Sequence, residues 1–202
     1  MLRAIALAAI LLVVALSAGA QTAVKEAPQR ELRAPDVVFV PTPHEVVEAM
    51  LKVAKVGKGD VLYDLGSGDG RIPITAAQKY GIARAVGIDI NPDRIKEAEA
   101  NKAKAGVGER VRFLNEDLFE ANFSDATVVT LYLLPALNLK LLPKLLKELK
   151  PGTRIVSHAF DMGSWKPQQT LEVDGRSVYF WTIPAPGTAS YKAAMAAAKG
   201  KK

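Results

Sequence analysis

The chain contains no cysteine, which removes disulfides and cysteine-ligated zinc from consideration. Histidine is scarce, with two in 202 residues. Neither His44 nor His158 belongs to a Ser/His/Asp set or a metal-ligand cluster, and no metal site is expected. A phosphate-binding lysine loop is absent, and no internal repeat is evident. Net basicity is missing where a nucleic-acid partner would need it. The formal charge is +6, but Lys192, Lys199, Lys201 and Lys202 lie in an acid-free end over 185–202. The remaining body is near charge balance, which argues against nucleic acid as a partner.

The two ends differ from the body. Met1 and Arg3 precede an apolar run at 4–16, followed by Ser17-Ala18-Gly19-Ala20. A basic start, a short apolar core and an Ala-x-Ala site describe a secretory signal. The run falls short of the ~20 residues of a comfortable membrane span. Residues 1–20 are therefore expected to direct export to the periplasm or medium, or to anchor the chain to a membrane through 4–20. Residues 21–36 mix Pro, Glu, Arg and Gln without periodicity and read as a linker. A single domain is expected over 37–184, enough chain for one ordinary core. Residues 185–202 have little to bury and read as a flexible, basic Ala/Lys-rich tail.

Inside the body, apolar strands and helical stripes alternate. Thr42, Pro43 and Glu45 have the spacing of a capping box ahead of a helix bearing Val46, Val47, Met50, Leu51 and Ala54. Strands are predicted at 61–65, 85–90, 111–114, 127–131 and 153–159. Helices are predicted at 72–80, 92–105 and 135–149, the second with Asn91 as cap and Gly106 beyond its end. This repetition specifies one mostly parallel sheet with helices on both faces. The rhythm then changes: 170–173 and 178–183 flank Asp174-Gly175-Arg176-Ser177 and read as an antiparallel hairpin.

The first strand runs into Asp64-Leu65-Gly66-Ser67-Gly68-Asp69-Gly70. Strand, small-residue turn and helix opening appear in the order that an open α/β sheet uses to hold a nucleotide-like cofactor. Backbone amides here and at the following helix start can approach a ligand's ribose and carboxylate. The spacing is GxGxG behind an acid, not the GxGxxG of a dinucleotide site. A pyrophosphate would meet Asp64 and Asp69 as like charges, whereas Asp64 suits the ammonium end of a methionine moiety. Asp89 ends the next strand, where it can accept ribose hydroxyl hydrogens or serve as a structural cap before Asn91-Pro92. Asp117 follows the third strand, with Leu118 beside it, and suits an adenine amino group; the alternative is a solvent-facing loop acid. Acids recurring at successive strand ends select S-adenosylmethionine as the expected cofactor.

The acceptor should meet the methyl group near the fourth strand end, Thr130-Leu131-Tyr132-Leu133-Leu134-Pro135. The Asn/Asp-Pro-Pro-aromatic segment common to DNA and glutamine amino-methyltransferases is not there, which disfavours a planar amide or base nitrogen. Tyr132 reads either as the wall of an aromatic channel for a lysine ammonium or as ordinary packing. His158 reads either as an acceptor-pocket base or as a structural histidine.

These segments together resemble the class I S-adenosylmethionine-dependent protein-lysine methyltransferases that include the mitochondrial ATP synthase c-subunit lysine methyltransferase and small prokaryotic relatives. The resemblance rests on Val40-Pro41-Thr42-Pro43, the glycine loop through Arg71, residues 87–92, Leu131 to Pro135, and Ser157-His158 followed by Trp165; it spans roughly 37–167. It implies a Rossmann-like α/β methyltransferase fold and transfer of a methyl group to a protein lysine ε-amine. It further implies a cofactor site of Thr42, Asp64, Gly66, Ser67, Gly68, Gly70, Asp89, Ile90, Asp117 and Leu118, with Tyr132 and His158 as catalytic contributors. The alternatives from the residues alone are a small-molecule methyltransferase and a secreted, non-enzymatic nucleoside-binding protein that retains the fold.

Overall fold

In the computed structural model, which describes residues 32–200, a seven-stranded sheet runs in the order β3-β2-β1-β4-β5-β7-β6. Its elements are α1 (His44–Val53), β1 (Val61–Leu65), α2 (Arg71–Lys79), β2 (Arg84–Asp89), α3 (Pro92–Ala105), β3 (Val111–Asn115), β4 (Val128–Leu131), α4 (Pro135–Glu148), β5 (Arg154–His158), β6 (Gln169–Val173), β7 (Arg176–Thr182) and α5 (Ala189–Lys199). β1 to β5 pair in parallel, and β7 and β6 finish the sheet antiparallel. This is the mostly parallel Rossmann-like architecture with a terminal hairpin that the alternation of elements specifies.

Strand order reverses beside β1, which has β2 on one side and β4 on the other. Chains leaving the two strands diverge there, so a crevice opens beyond their carboxyl ends. Strand residues alternate between two cores, one on each face. Leu62, Val128 and Val156 face Met50, Leu51 and Ile74, while Tyr63, Val129 and Ile155 face Leu141, Leu145 and Trp181. The near-continuous apolar strands follow from burial on both faces. The same alternation puts Asp64 and Thr130, partners across β1 and β4, side by side.

Local signals hold at several ends. The Asn91 side chain accepts from the Asp93 amide at 2.9 Å, Pro92 occupies the first position of α3, and Gly106 closes it in the left-handed conformation. The expected capping box at α1 does not form. Pro43 precedes the helix without a side-chain cap, because the Thr42 hydroxyl instead lies 3.1 Å from His158 Nδ1. The end of the chain also differs from the expected flexible tail. Over its described part it forms α5, capped by the Thr188 hydroxyl at the Tyr191 amide. Ala194 and Ala197 are buried in the core under α4, beside Tyr191 and Met195. Small side chains let the helix approach closely, so an alanine-rich segment does have a face to bury.

The expected signal or anchor over 1–20 and most of the linker lie outside the described residues. Among the described residues, no helix is long and apolar enough to cross a membrane.

Gly87 in β2 decides how closely the loop after β1 can sit. A Cβ there would fall 2.5 Å from the Phe113 ring and 2.7 Å from Ser67 Cβ, both too close to tolerate without movement. Gly87→Ala should destabilise the domain by about 1–3 kcal/mol through overpacking, read as a lower urea midpoint with an unchanged m-value.

Candidate active site

The glycine loop after β1 is threaded onto the end of β2. Gly66 and Ser67 amides both donate to the Ile88 carbonyl, at 2.8 and 3.0 Å, and the Gly70 amide to the Ser67 carbonyl at 2.9 Å. The Gly68 amide donates to Asp89 Oδ2 at 2.8 Å. Gly66, Gly68 and Gly70 all have positive φ, which only glycine adopts readily. Four loop amides are thus already engaged. The loop reaches the cleft through Gly66, Ser67 and Asp69.

The three glycines have different surroundings. Gly66 lines the cleft, and a Cβ there would come within 2.9 Å of Leu133. Gly68 lies under the Phe39 ring, and Gly70 lies against Phe113 and Ala98. Neither Gly68 nor Gly70 lines the cleft. Gly68 is covered by a ring that itself lines the cleft, and Gly70 packs toward α3 and β3.

Beyond the strand ends lies a cleft that brings together Thr42, Asp64, Gly66, Ser67, Asp89, Ile90, Asp117, Leu118 and Tyr132. Asp64 is the deepest acid, only 3% exposed, and accepts from the Thr130 hydroxyl at 2.7 Å. No cation pairs with it among the described residues. Burial, with the charges of Asp89 and Asp69 adding to it, pushes its pKa up to about 8. Asp89 takes the structural one of the two roles that its sequence position allows, and also lines the cleft. Its carboxylate accepts from the amides of Gly68 and Asn91, tying the loop to the turn before α3. Each oxygen keeps lone-pair capacity toward the cleft it lines. Asp117 also reaches the cleft, where burial opposes its charge but Arg33 holds it below the usual carboxylate range.

Several cleft residues were not among the expected site residues. Arg33 grips Asp117 with two nitrogens, at 2.5 and 3.2 Å, and Asp36 with a third contact at 2.5 Å. The last residues of the expected linker, from 33 to 36, therefore run on into 37–40 as a strap along the cleft wall. Phe39 in that strap covers Gly68 and carries the Arg94 guanidinium 5.1 Å from its ring centre. Arg71 binds Asp69 through two nitrogens and donates to the Thr42 carbonyl at 2.8 Å. Arg71 follows the glycine loop directly, so its adjacency was a usable signal. Arg33, separated from Asp117 by more than eighty residues, gave none.

At the far end, the rings of Tyr132 and His158 lie 3.9 Å apart between centres. His158 is 1% exposed and does not line the cleft. Burial, and then the charge of Arg176, lower its pKa to about 4. Its Nε2 has no hydrogen-bond partner among the described residues. A neutral, enclosed imidazole outside the cleft braces Thr42 and Tyr132; the structure does not present it as a base to an incoming acceptor.

The raised pKa of Asp64 has a consequence for stability. An acid whose folded pKa exceeds its unfolded value of 3.8 stabilises the fold fully below that value and loses this contribution as pH rises through about 8. The ligand-free domain should therefore weaken between pH 5 and 9 more than Asp64→Asn does. Urea midpoints of the two proteins across that range check the difference.

Comparison with known proteins places this geometry. A model of the ANTKMT methyltransferase domain matches residues 64–169. The chain is 49% identical to a protein-lysine N-methyltransferase of Saccharolobus islandicus, over 74% of this chain and 95% of that one. It is 34% identical to the adenine nucleotide translocase lysine N-methyltransferase of Mus musculus, over 75% and 65% of the two chains. Among solved structures, one described as an RNA methyltransferase from Salinibacter ruber in complex with S-adenosyl-L-homocysteine is 56% identical. It superposes with a TM-score of 0.72 over 74% of this chain and 97% of that one. By the span of the domain match and the near-complete coverage of the Saccharolobus relative, this chain belongs to the ANTKMT methyltransferase family.

Proposed function

We propose that the protein transfers a methyl group from S-adenosylmethionine to the ε-amine of a protein lysine. It is an S-adenosylmethionine-dependent methyltransferase, and the residues of the cleft fit that donor. Asp64 is a buried carboxylate without a cation, and an ammonium or sulfonium nearby would relieve its energetic cost. Asp89 retains acceptor capacity for ribose hydroxyls, and Asp117 with Leu118 would hold the adenine. When bound, the sulfonium supplies an already activated methyl group. The chain's own residues orient the acceptor and exclude water, which together can supply much of the acceleration.

The observation that carries the lysine reading is Tyr132, half buried at the end of the acidic cleft and flanked by Leu133. An aromatic wall beside carboxylates suits an alkylamine, and the clamp for a planar nitrogen is missing from this strand end. The Saccharolobus and mouse relatives are named for lysine methylation. The Salinibacter structure bears an RNA description. Against RNA for this chain stand the acids of the cleft and the ties of Arg33 and Arg71 to carboxylates, which leave little charge for phosphate. His158 is enclosed and, with its lowered pKa, a weak base, so this reading assigns the lysine proton to solvent.

Residues 4–20 are proposed to export or anchor the chain; fractionation of cells carrying the intact chain and a variant lacking 4–20 tests this, with a shift to the soluble cytoplasmic fraction expected only for the deletion.

Calorimetry with S-adenosylhomocysteine at pH 7, in buffers of different ionisation enthalpy, should show release of about one proton as Asp64 ionises. Asp64→Asn should bind more weakly and release none. Labelled S-adenosylmethionine with a whole-proteome extract should yield acid-stable methyl-lysine. Label confined to small molecules or RNA, with donor binding intact, would reject the lysine acceptor.

A further inference from the structure

The segment leaving β5 is strained in a way that the donor cleft does not require. Ala159 has φ of +62°, and the Phe160 amide donates to the His158 carbonyl at 2.8 Å. This closes a three-residue γ-turn of the positive-φ kind, which is rare and strained. Buried polar groups hold it in place. The Ala159 amide donates to the Ser177 carbonyl at 2.8 Å. The Phe160 carbonyl accepts from the Ser157 hydroxyl at 2.6 Å and from the Asn138 side-chain amide at 3.2 Å. Asn138 and Ser157 are both fully buried. Strain maintained by such an over-determined frame marks a site more often than it marks packing.

The turn aims one side chain. The Phe160 ring lies 6.1 Å from that of Tyr132 between centres, with planes 19° apart. Tyr132 lines the cleft and Phe160 does not, so Phe160 continues the aromatic surface of Tyr132 outside the cleft lining. Asp161 follows with a half-buried side chain that accepts from the Gly163 amide at 2.9 Å. Aromatic faces followed by a carboxylate make a path for an alkylammonium. We propose that Phe160 is an acceptor-binding residue, forming with Tyr132 the wall along which the lysine side chain reaches the donor. The proposal rests on the lysine reading above and adds a residue beyond the donor site.

The test compares the full chain with Phe160→Leu, which keeps apolar volume without a π face, and Phe160→Tyr, which restores one. Each is titrated with S-adenosylhomocysteine, then assayed with labelled S-adenosylmethionine against increasing whole-proteome extract, counting methyl-lysine after hydrolysis. Phe160→Leu should bind S-adenosylhomocysteine within about twofold of the parent, while its half-saturating extract concentration rises about fivefold. Its maximal rate should change much less, and Phe160→Tyr should return to the parental value. A Phe160→Leu protein indistinguishable from the parent, or one that loses S-adenosylhomocysteine binding in step with transfer, overturns the proposal. Donor binding without methyl-lysine from the parent chain overturns the lysine reading and this proposal with it.

Discussion

Asp64 lies at the end of β1 where strand order reverses, its carboxylate enclosed by the sheet and met by the Thr130 hydroxyl. Removing such a group from water is costly unless a partner compensates. The surrounding arrangement makes sense around that cost. The glycine loop carries no side chain that could supply a cation, and Gly87 clears the space for it. Arg33 and Arg71 stand at the cleft but are tied to Asp117 and Asp69. Positive charge is kept available to the walls and withheld from the floor, so the floor selects a ligand that brings its own.

Much of this was legible along the chain because the responsible forces are local. The apolar runs, Asn91 as a cap, Gly106 as a stop and the Asp174-Gly175 hairpin act within a few residues of where they are written. The acids at successive strand ends were legible for a related reason: parallel topology carries every such end to the same edge. What escaped was non-local. Thr42 had the spacing of a cap, but a histidine more than a hundred residues away took its hydroxyl. Arg33 read as linker because its partner Asp117 is distant in sequence. The alanine-rich end has only Tyr191 and Met195 as bulky apolar residues, and its burial depended on a surface that α4 supplies. The loop amides looked free until the end of β2 supplied acceptors for them.

The two halves of the site are built on different principles. The donor half is a crevice that any sheet with this strand order would possess, given specificity by carboxylates. The proposed acceptor half is made of packed rings, with His158 and Phe160 both against Tyr132. His158 contributes most as a rigid, uncharged brace, since a charged imidazole there would have no solvent to stabilise it. Phe160 is held through backbone strain anchored by Asn138 of α4, so helix and strand jointly fix the geometry of the aromatic wall.

Both tryptophans of the chain lie at one edge of the sheet, with the Trp181 indole donating to the Trp165 carbonyl at 2.9 Å and the ring centres 5.8 Å apart. Intrinsic emission is therefore a local gauge of the β5, β7 and α5 margin, on the far side of β4 from the glycine loop. Ligand entry at the crevice would be silent in that signal unless its effect were transmitted across the strands, which makes the indole pair an internal reporter of how stiffly the sheet couples its two halves.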